Sequence, residues 1–211
     1  MSDKTGINRR GYAILKSPAL SVGLVKAAAL GGRDKRLDGV WEWKLFSKVN
    51  GWSTKDACRL ACAQEVRRFV TSLTSRIRAL IPGERFELSI VALRLTRNQI
   101  PESSHLHVDD GYVSAVHTFA GPGTVLYERL RARVARKRVR AGLTVVLTGA
   151  RREAATGVLG TVHSAPPGRV GERIALVAYF SPKGQCPHAQ RRIIEAREAF
   201  FAAHFSAQRK L

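Results

Sequence analysis

Between Leu60 and Leu80 apolar side chains return at helical spacing: Leu60, Val66, Phe69, Val70, Leu73, Ile77 and Leu80. That recurrence gives a helix with one apolar stripe, and Arg67, Arg68, Arg76 and Arg78 fall mostly off it. Ser53 or Thr54 is the expected N-cap, Asp56 lies in the first turn where negative charge is favoured, and Pro82-Gly83 stops the run. Such a helix is built to lie against a sheet. Beyond it the period shortens to two. Phe86–Ile90 alternates and continues apolar to Leu95, Val113–Phe119 reads as a strand, and Gly121-Pro122-Gly123 turns the chain into a returning strand, Thr124–Tyr127. Leu143–Leu147, Thr161–Ala165 and Arg173–Phe180 complete the strand set.

The flanks are less regular. Residues 1–10 are polar and read as frayed. Gly11–Leu15 is a short strand, a helix spans about 21–30, and Gly31-Gly32 ends it. Residues 33–52 read as a loop, although Trp41 and Trp43 are spaced to share a strand face. Those two tryptophans either cover the edge of the core or line a substrate lid. Residues 148–160 read as a loop, and Pro187 opens a C-terminal helix with Ile193, Ile194, Phe200, Phe201 and Phe205 on one face. Many short strands with Gly/Pro turns predict a mainly β, α+β domain, sandwich- or barrel-like, with helices packed outside. One domain is expected over 1–211, with helical support and a first strand in 1–85, the β core in 86–182 and the C-terminal helix in 183–211.

Composition narrows the class. A chain of 211 residues that is 45% hydrophobic can bury a full core. The net charge of +20 raises nucleic acid, acidic lipid or a small anion as partner, or simply a solubilising surface. Its densest stretch is Arg129–Arg140, with seven basic residues in twelve; its opening reads as an exposed strand and its later part as a helix. Cys58, Cys62 and Cys186 are too few and too irregular for a disulfide framework; Cys58 and Cys62 read as buried thiols on one helix face. There is no leader-like apolar stretch and no run of membrane-crossing length, so a cytoplasmic location with no membrane partner is expected.

Candidate chemistry centres on His105–Asp110, HLHVDD. Read as a strand, it points His105, His107 and Asp109 to one side. Imidazole and carboxylate on one face can grip one metal ion, and two histidines plus one carboxylate with other positions open suit iron(II). His163 is the best distant third ligand, and His105 is the rival on the near strand. His117 reads as a core residue, His188 and His204 as structural, and Asp110 as a turn residue.

Taken in order, HVD at 107–109, GPGTVL at 121–126, AGLTVVL at 141–147 and HSAPPGRVGER at 163–173 resemble the Fe(II)- and 2-oxoglutarate-dependent oxygenase superfamily, nearest its prolyl-hydroxylase-like branch. The resemblance is firm over about residues 86–182. It implies a double-stranded β-helix core of the jelly-roll, cupin-like kind. It also implies His107, Asp109 and His163 as iron ligands, and Arg173 as the partner of the distal carboxylate of 2-oxoglutarate. The implied activity is that of a dioxygenase, an oxidoreductase that hydroxylates its substrate with release of succinate and CO2. A guanidinium suits the carboxylate role because it grips through two parallel hydrogen bonds.

For the substrate, a small anionic or amino-acid-like molecule is favoured, with Trp41 and Trp43 as substrate-binding candidates. The nucleic-acid-modifying branch carries a second arginine six residues after the 2-oxoglutarate arginine, and Tyr179 stands there instead. Two other classes remain: a nucleic-acid-binding protein exploiting the basic surface, and a cupin-like metal protein of non-oxidative chemistry.

Overall fold

The computed structural model describes residues 6–17, 20, 25, 35–37, 40–49, 51–52, 57–96, 106–129, 134–166 and 172–185. A short helix α1, Gly6–Arg10, leads into β1, Tyr12–Lys16. Three strands follow, β2 Lys35–Leu37, β3 Val40–Ser47 and β4 Gly51–Trp52, and then the long helix α2, Ala57–Leu80. The core strands are β5 Phe86–Thr96, β6 Val113–Ala120, β7 Val125–Arg129, β8 Val134–Arg138 and β9 Leu143–Thr148. A helical turn α3, Ala150–Thr156, precedes β10, His163–Ser164, and β11, Arg173–Pro182.

These strands form two antiparallel sheets. The large one is ordered β1-β9-β6-β11-β5-β3-β2, with β4 on β3; the small one is β10-β7-β8. From β5 onward the chain crosses between the sheets. After β5, His107 bridges to β10 of the small sheet, β6 returns to the large sheet, β7 and β8 pair in the small one, β9 returns, and β10 and β11 divide between them. This is the expected jelly-roll core, and it assembles from hairpins and crossings that keep edges covered.

Register sorts the side chains of the large sheet. On β11, Ile174, Leu176, Ala178 and Phe180 join the α2 residues Val66, Phe69, Leu73 and Ile77 in the main core. Burying each large apolar side chain there is worth roughly 2 kcal/mol. The α2 stripe is as expected except at its start, where Leu60 is 46% exposed. Cys62 is buried in the same core. The alternate residues face the small sheet. Tyr12, Val116, Val145, Leu147 and Val177 meet Leu126 and Val139 in a second core between the sheets. Arg173 and Ala175 are on this inner face, as are their β5 partners Thr96 and Arg94.

Several expectations are corrected. The 33–52 stretch is not a loop: β3 pairs with β5 along its length. Trp41, Trp43 and Leu45 alternate there with Glu42 and Lys44, a period of two hidden among charges and glycines. The 148–160 stretch contains α3, since Ala-Arg-Arg-Glu-Ala-Ala favours a helix and Gly157 ends it in the left-handed conformation, φ 74°. The later part of the basic run is a strand rather than a helix, because β8 pairs with β7 over five residues. Residues 6–10 are anchored, with Ile7 fully buried. Of the proposed helix at 21–30 only Val25 is described, in a helical conformation and buried in the main core; the caps at 53–56, the C-terminal helix, His105, His188, His204 and Cys186 lie outside the described residues. Among the described residues no helix is long and apolar enough to cross a membrane.

Candidate metal centre

His107 is not part of a long strand, as the alternating reading of HLHVDD required. It forms a single rung with β10. His107 N–H donates to the His163 carbonyl at 3.0 Å, and His163 N–H donates back to the His107 carbonyl at 2.9 Å. The chain then bends, because the next backbone groups serve α3: the Asp109 carbonyl accepts from Ala150 N–H at 2.9 Å and the Gly111 carbonyl from Arg151 N–H at 3.3 Å. Gly149 makes this approach possible. A Cβ there would collide with the Gly111 carbonyl oxygen, and no side chain could be accommodated without moving the segment that carries Asp109.

The rung and the bend bring three predicted residues together. The imidazole centroids of His107 and His163 are 4.3 Å apart. Asp109 Oδ2 is 3.5 Å from His163 Nε2, and Oδ1 is 3.8 Å from His107 Nε2. One donor atom from each residue lies within 4.8 Å of the others, and no other described group of His, Cys, Asp and Glu converges this way. Adjacent ligands on a six-coordinate ion with bonds of about 2.1 Å stand roughly 3 Å apart, so small side-chain adjustments would close the set around one ion.

The protonation states suit a cation. Burial alone would raise the Asp109 carboxyl, but His163, His107, the Ser114 hydroxyl and the charge of Arg94 outweigh it and hold the group below the usual carboxylate range. Burial pushes His163 down, against the opposing pull of Asp109. An ionised carboxylate beside a neutral imidazole is what a metal ion requires. The hydrogen bonds also aim the donors. His163 Nδ1 lies 3.0 Å from the Thr161 carbonyl, which only an Nδ1–H can satisfy, leaving the Nε2 lone pair toward Asp109. Ser114 Oγ donates to Asp109 Oδ2.

Arg173 opens β11 and is only 6% exposed. Its Nε donates to the Pro122 carbonyl at 2.9 Å and Nη2 reaches Thr124 Oγ1 at 3.4 Å. The Gly-Pro-Gly turn therefore holds this side chain, and the turn fits closely: Cβ atoms at Gly121 and Gly123 would strike the Glu172 and Val139 carbonyl oxygens. Burial, and then the charge of Arg94, push Arg173 down to about 10. Among the described residues no carboxylate is paired with it. Its charge is felt at His163.

Trp43 is placed elsewhere. Trp43 pairs in register with Leu93, packs against the main core on the α2 side, and has the Arg59 guanidinium 5.5 Å from its ring centre. That is the sheet face opposite the triad, so Trp43 covers core and does not line the inner pocket. Trp41 pairs in register with Leu95, and its side chain lies outside the described atoms. Three contributors escaped the sequence reading: Ser114, Arg94 and the Thr161 carbonyl. Arg94 had a visible signal, a lone charge inside the apolar run VALRLT. His117 is a core residue as expected, edge-on to Phe69 and Phe119.

No family model matches the sequence, and no curated protein matches it. Solved structures do. An oxidoreductase of the 2OG-Fe(II) oxygenase family from Burkholderia pseudomallei is 14% identical, with 87% of this chain and 90% of that chain covered and a TM-score of 0.58. A full-length Neurospora crassa protein, solved in complex with alpha-KG and 5-formyluracil, is 10% identical over 89% and 82% of the two chains, with a TM-score of 0.62. The dioxygenase for auxin oxidation of rice is 15% identical over 85% and 76%, with a TM-score of 0.59. The jelly roll described above, with its long supporting helix, is thus the fold of the 2-oxoglutarate–Fe(II) oxygenases.

Proposed function

We propose that this chain is an Fe(II)- and 2-oxoglutarate-dependent oxygenase that hydroxylates a small anionic or amino-acid-like substrate. The observation that carries the reading is the convergence of His107, Asp109 and His163, from segments more than fifty residues apart, into one donor set. Two imidazoles and a carboxylate leave further coordination positions for a cosubstrate and dioxygen. Iron held by His107, Asp109 and His163 would supply the dioxygen-dependent oxidative decarboxylation of 2-oxoglutarate to succinate and CO2, one oxygen atom going to succinate and the other to the substrate.

The chain's own residues bind and orient. Asp109 supplies negative charge, fixed by Ser114. His163 presents Nε2 because Thr161 holds Nδ1. Arg173 is the cosubstrate residue: a buried guanidinium beside a threonine hydroxyl matches a carboxylate that accepts from both. The GPGT turn that seats Arg173 supports the prolyl-hydroxylase-like branch. Leu126, the ladder partner of His163, joins Val145, Leu147 and Val177 in the buried apolar cluster between the sheets. Part of the basic run serves the fold, with Lys137 and Arg136 lying over the Tyr12 and Tyr127 rings, which favours a small molecule over nucleic acid as substrate.

The test is succinate release from 2-oxoglutarate with ferrous iron and ascorbate, first uncoupled and then across a metabolite panel. Wild type is expected to form succinate, and His163→Ala to lose both turnover and tight metal binding while keeping a cooperative melt. A wild-type protein that binds iron yet releases no succinate, or a His163→Ala variant that turns over normally, refutes the reading.

A further inference from the structure

The small sheet ends at β8, which among the described residues pairs with β7 alone. Two bonds fix the direction of its backbone groups. Val139 N–H donates to the Thr124 carbonyl at 2.8 Å, and Tyr127 N–H, on the other side of β7, donates to the Val162 carbonyl at 3.0 Å. In an antiparallel ladder the N–H and C=O of one residue point the same way, and the direction alternates along the strand. Ala135, Lys137 and Val139 therefore face β7, while Arg136 and Arg138 turn their N–H and C=O to the open edge. Side chains alternate with the same period. Val139 is buried between the sheets and Lys137 lies over the Tyr12 ring, so these two point inward. Arg136 and Arg138 point outward, Arg140 continues the alternation, and all three are exposed. Successive members of the row are about 6.6 Å apart. Their ladder partners on β7, Tyr127 for Arg136 and Val125 for Arg138, carry no charge, and Glu128 is turned inward, bonded to Tyr12. Arg136 also rests on the Tyr127 ring, 5.8 Å from its centre, and a stacked guanidinium keeps its in-plane N–H donors.

We propose that the β8 edge docks an extended acidic segment of a partner polypeptide, which adds to the small sheet as a further strand with aspartate or glutamate at every second position, opposite Arg136, Arg138 and Arg140. The inference is independent of the oxygenase reading. An added strand matches the edge twice. Its main chain satisfies the outward donors and acceptors, and its carboxylates stand directly across from guanidiniums that share the two-residue repeat. A nucleic acid or an anionic lipid surface offers acceptors to the arginines but no regular row of donors to the outward carbonyls. A second copy of β8 would set arginine against arginine, which is how charged edges deter self-pairing.

The full chain is titrated by fluorescence anisotropy, at about 0.1 M salt, with a short labelled peptide of alternating glutamate and threonine. The comparisons are the same composition with its glutamates gathered in one block, the alternating peptide N-methylated either at the glutamates or at the threonines, an oligothymidylate of equal charge, and phosphatidylserine vesicles. Saturable binding of the alternating peptide is expected, with protection of the Arg136 and Arg138 amides from hydrogen exchange. Gathering the glutamates, or methylating their nitrogens, which face β8, should weaken binding about tenfold. Methylating the threonine nitrogens, which face away, should change it by less than about threefold. Arg138→Glu combined with Arg140→Glu should weaken it at least about tenfold while the melt stays unchanged. The peptide comparisons use wild type alone and stand even if that variant folds poorly. Absence of saturable binding, equal binding of the blocked or glutamate-methylated peptide, unprotected Arg136 and Arg138 amides, or a folded charge-reversed variant that binds as wild type does overturns the inference. So does equal binding of oligothymidylate or vesicles, which would make the row a general polyanion surface. A dimer in sedimentation that charge reversal abolishes would assign the edge to a second copy of the chain and overturns it too.

Discussion

Replacing Arg173 by methionine should stabilise the empty protein and cripple cosubstrate binding. The guanidinium is held down to about 10 from 12.5, chiefly by burial. At about 1.4 kcal/mol per tenfold change in proton affinity, the buried charge costs the fold roughly 3 kcal/mol. Loss of its bonds to Pro122 and Thr124 gives back about 1 kcal/mol each. The balance is about 1 kcal/mol in favour of the variant, or roughly 2–4 °C in Tm for a chain of this size. Binding moves the other way. A carboxylate in a buried site that loses its counter-charge forfeits about 3–5 kcal/mol, at least 100-fold in Kd. The assay is a melt of manganese-loaded protein with and without millimolar 2-oxoglutarate. Wild type should gain several degrees from the ligand, since ligand that binds only the folded state stabilises by mass action. Arg173→Met should start higher and gain almost nothing, with manganese affinity unchanged. A variant that melts lower without ligand, or one that still gains as wild type does, refutes the reasoning.

Two other predictions concern the frame. Arg152 is fully buried and grips Glu84 with two bonds of 2.8 Å, with further bonds to Thr148 at 2.9 Å and Asn8 at 2.6 Å. Arg152→Met strands Glu84, so unfolding free energy should fall by about 3 kcal/mol while metal affinity stays constant; calorimetric melts check it. His117 is pushed down to about 4 by burial, from 6.5. A neutral histidine in the fold that protonates readily when unfolded contributes stability fully present above pH 6.5 and lost as pH falls toward 4. The upper bound is about 3 kcal/mol and about half that after solvent screening. Denaturant titrations should show a flatter slope for His117→Gln than for wild type across that window, and identical slopes would remove the effect.

The sequence disclosed the site better than the frame around it. H-x-D, the Gly-Pro-Gly-Thr turn and the distal His with its arginine ten residues later are short local patterns. Their geometry is fixed by a few backbone bonds, so the resemblance of these short motifs to those of the oxygenase superfamily carried the information. The strands at 33–52 were missed because a two-residue period is weak evidence when charges occupy one face. There the pairing is dictated by β5, whose edge would otherwise lie bare. The HLHVDD strand was a false extension for the converse reason. Alternation predicted a ladder, but Asp109 and Gly111 direct their carbonyls to α3, an element the sequence had been read to lack. Trp43 was left between core edge and lid because aromatic character fits both; register decides its face, and register is invisible until the partner strand is known.

Main-chain atoms take part in positioning each residue of the proposed metal and cosubstrate site, beside the Ser114 and Thr124 hydroxyls. The two histidines are locked by a reciprocal backbone rung, and Asp109 by the Ala150 N–H bond to its carbonyl. The His163 ring is set by the Thr161 carbonyl and Arg173 by the Pro122 carbonyl. Backbone geometry at sheet crossings costs little to hold, because the two cores on either side of the large sheet already fix it. The alternative, side chains positioning one another, would loosen whenever a ligand left. Here bonds of the fold itself hold the donor residues together, so much of the site's ordering entropy is lost on folding rather than on binding. That explains how so many charged groups sit inside the jelly roll. Asp109 and Arg173 each cost stability, and the cost is offset by apolar packing elsewhere and would be recovered when opposite charges arrive as metal and keto acid.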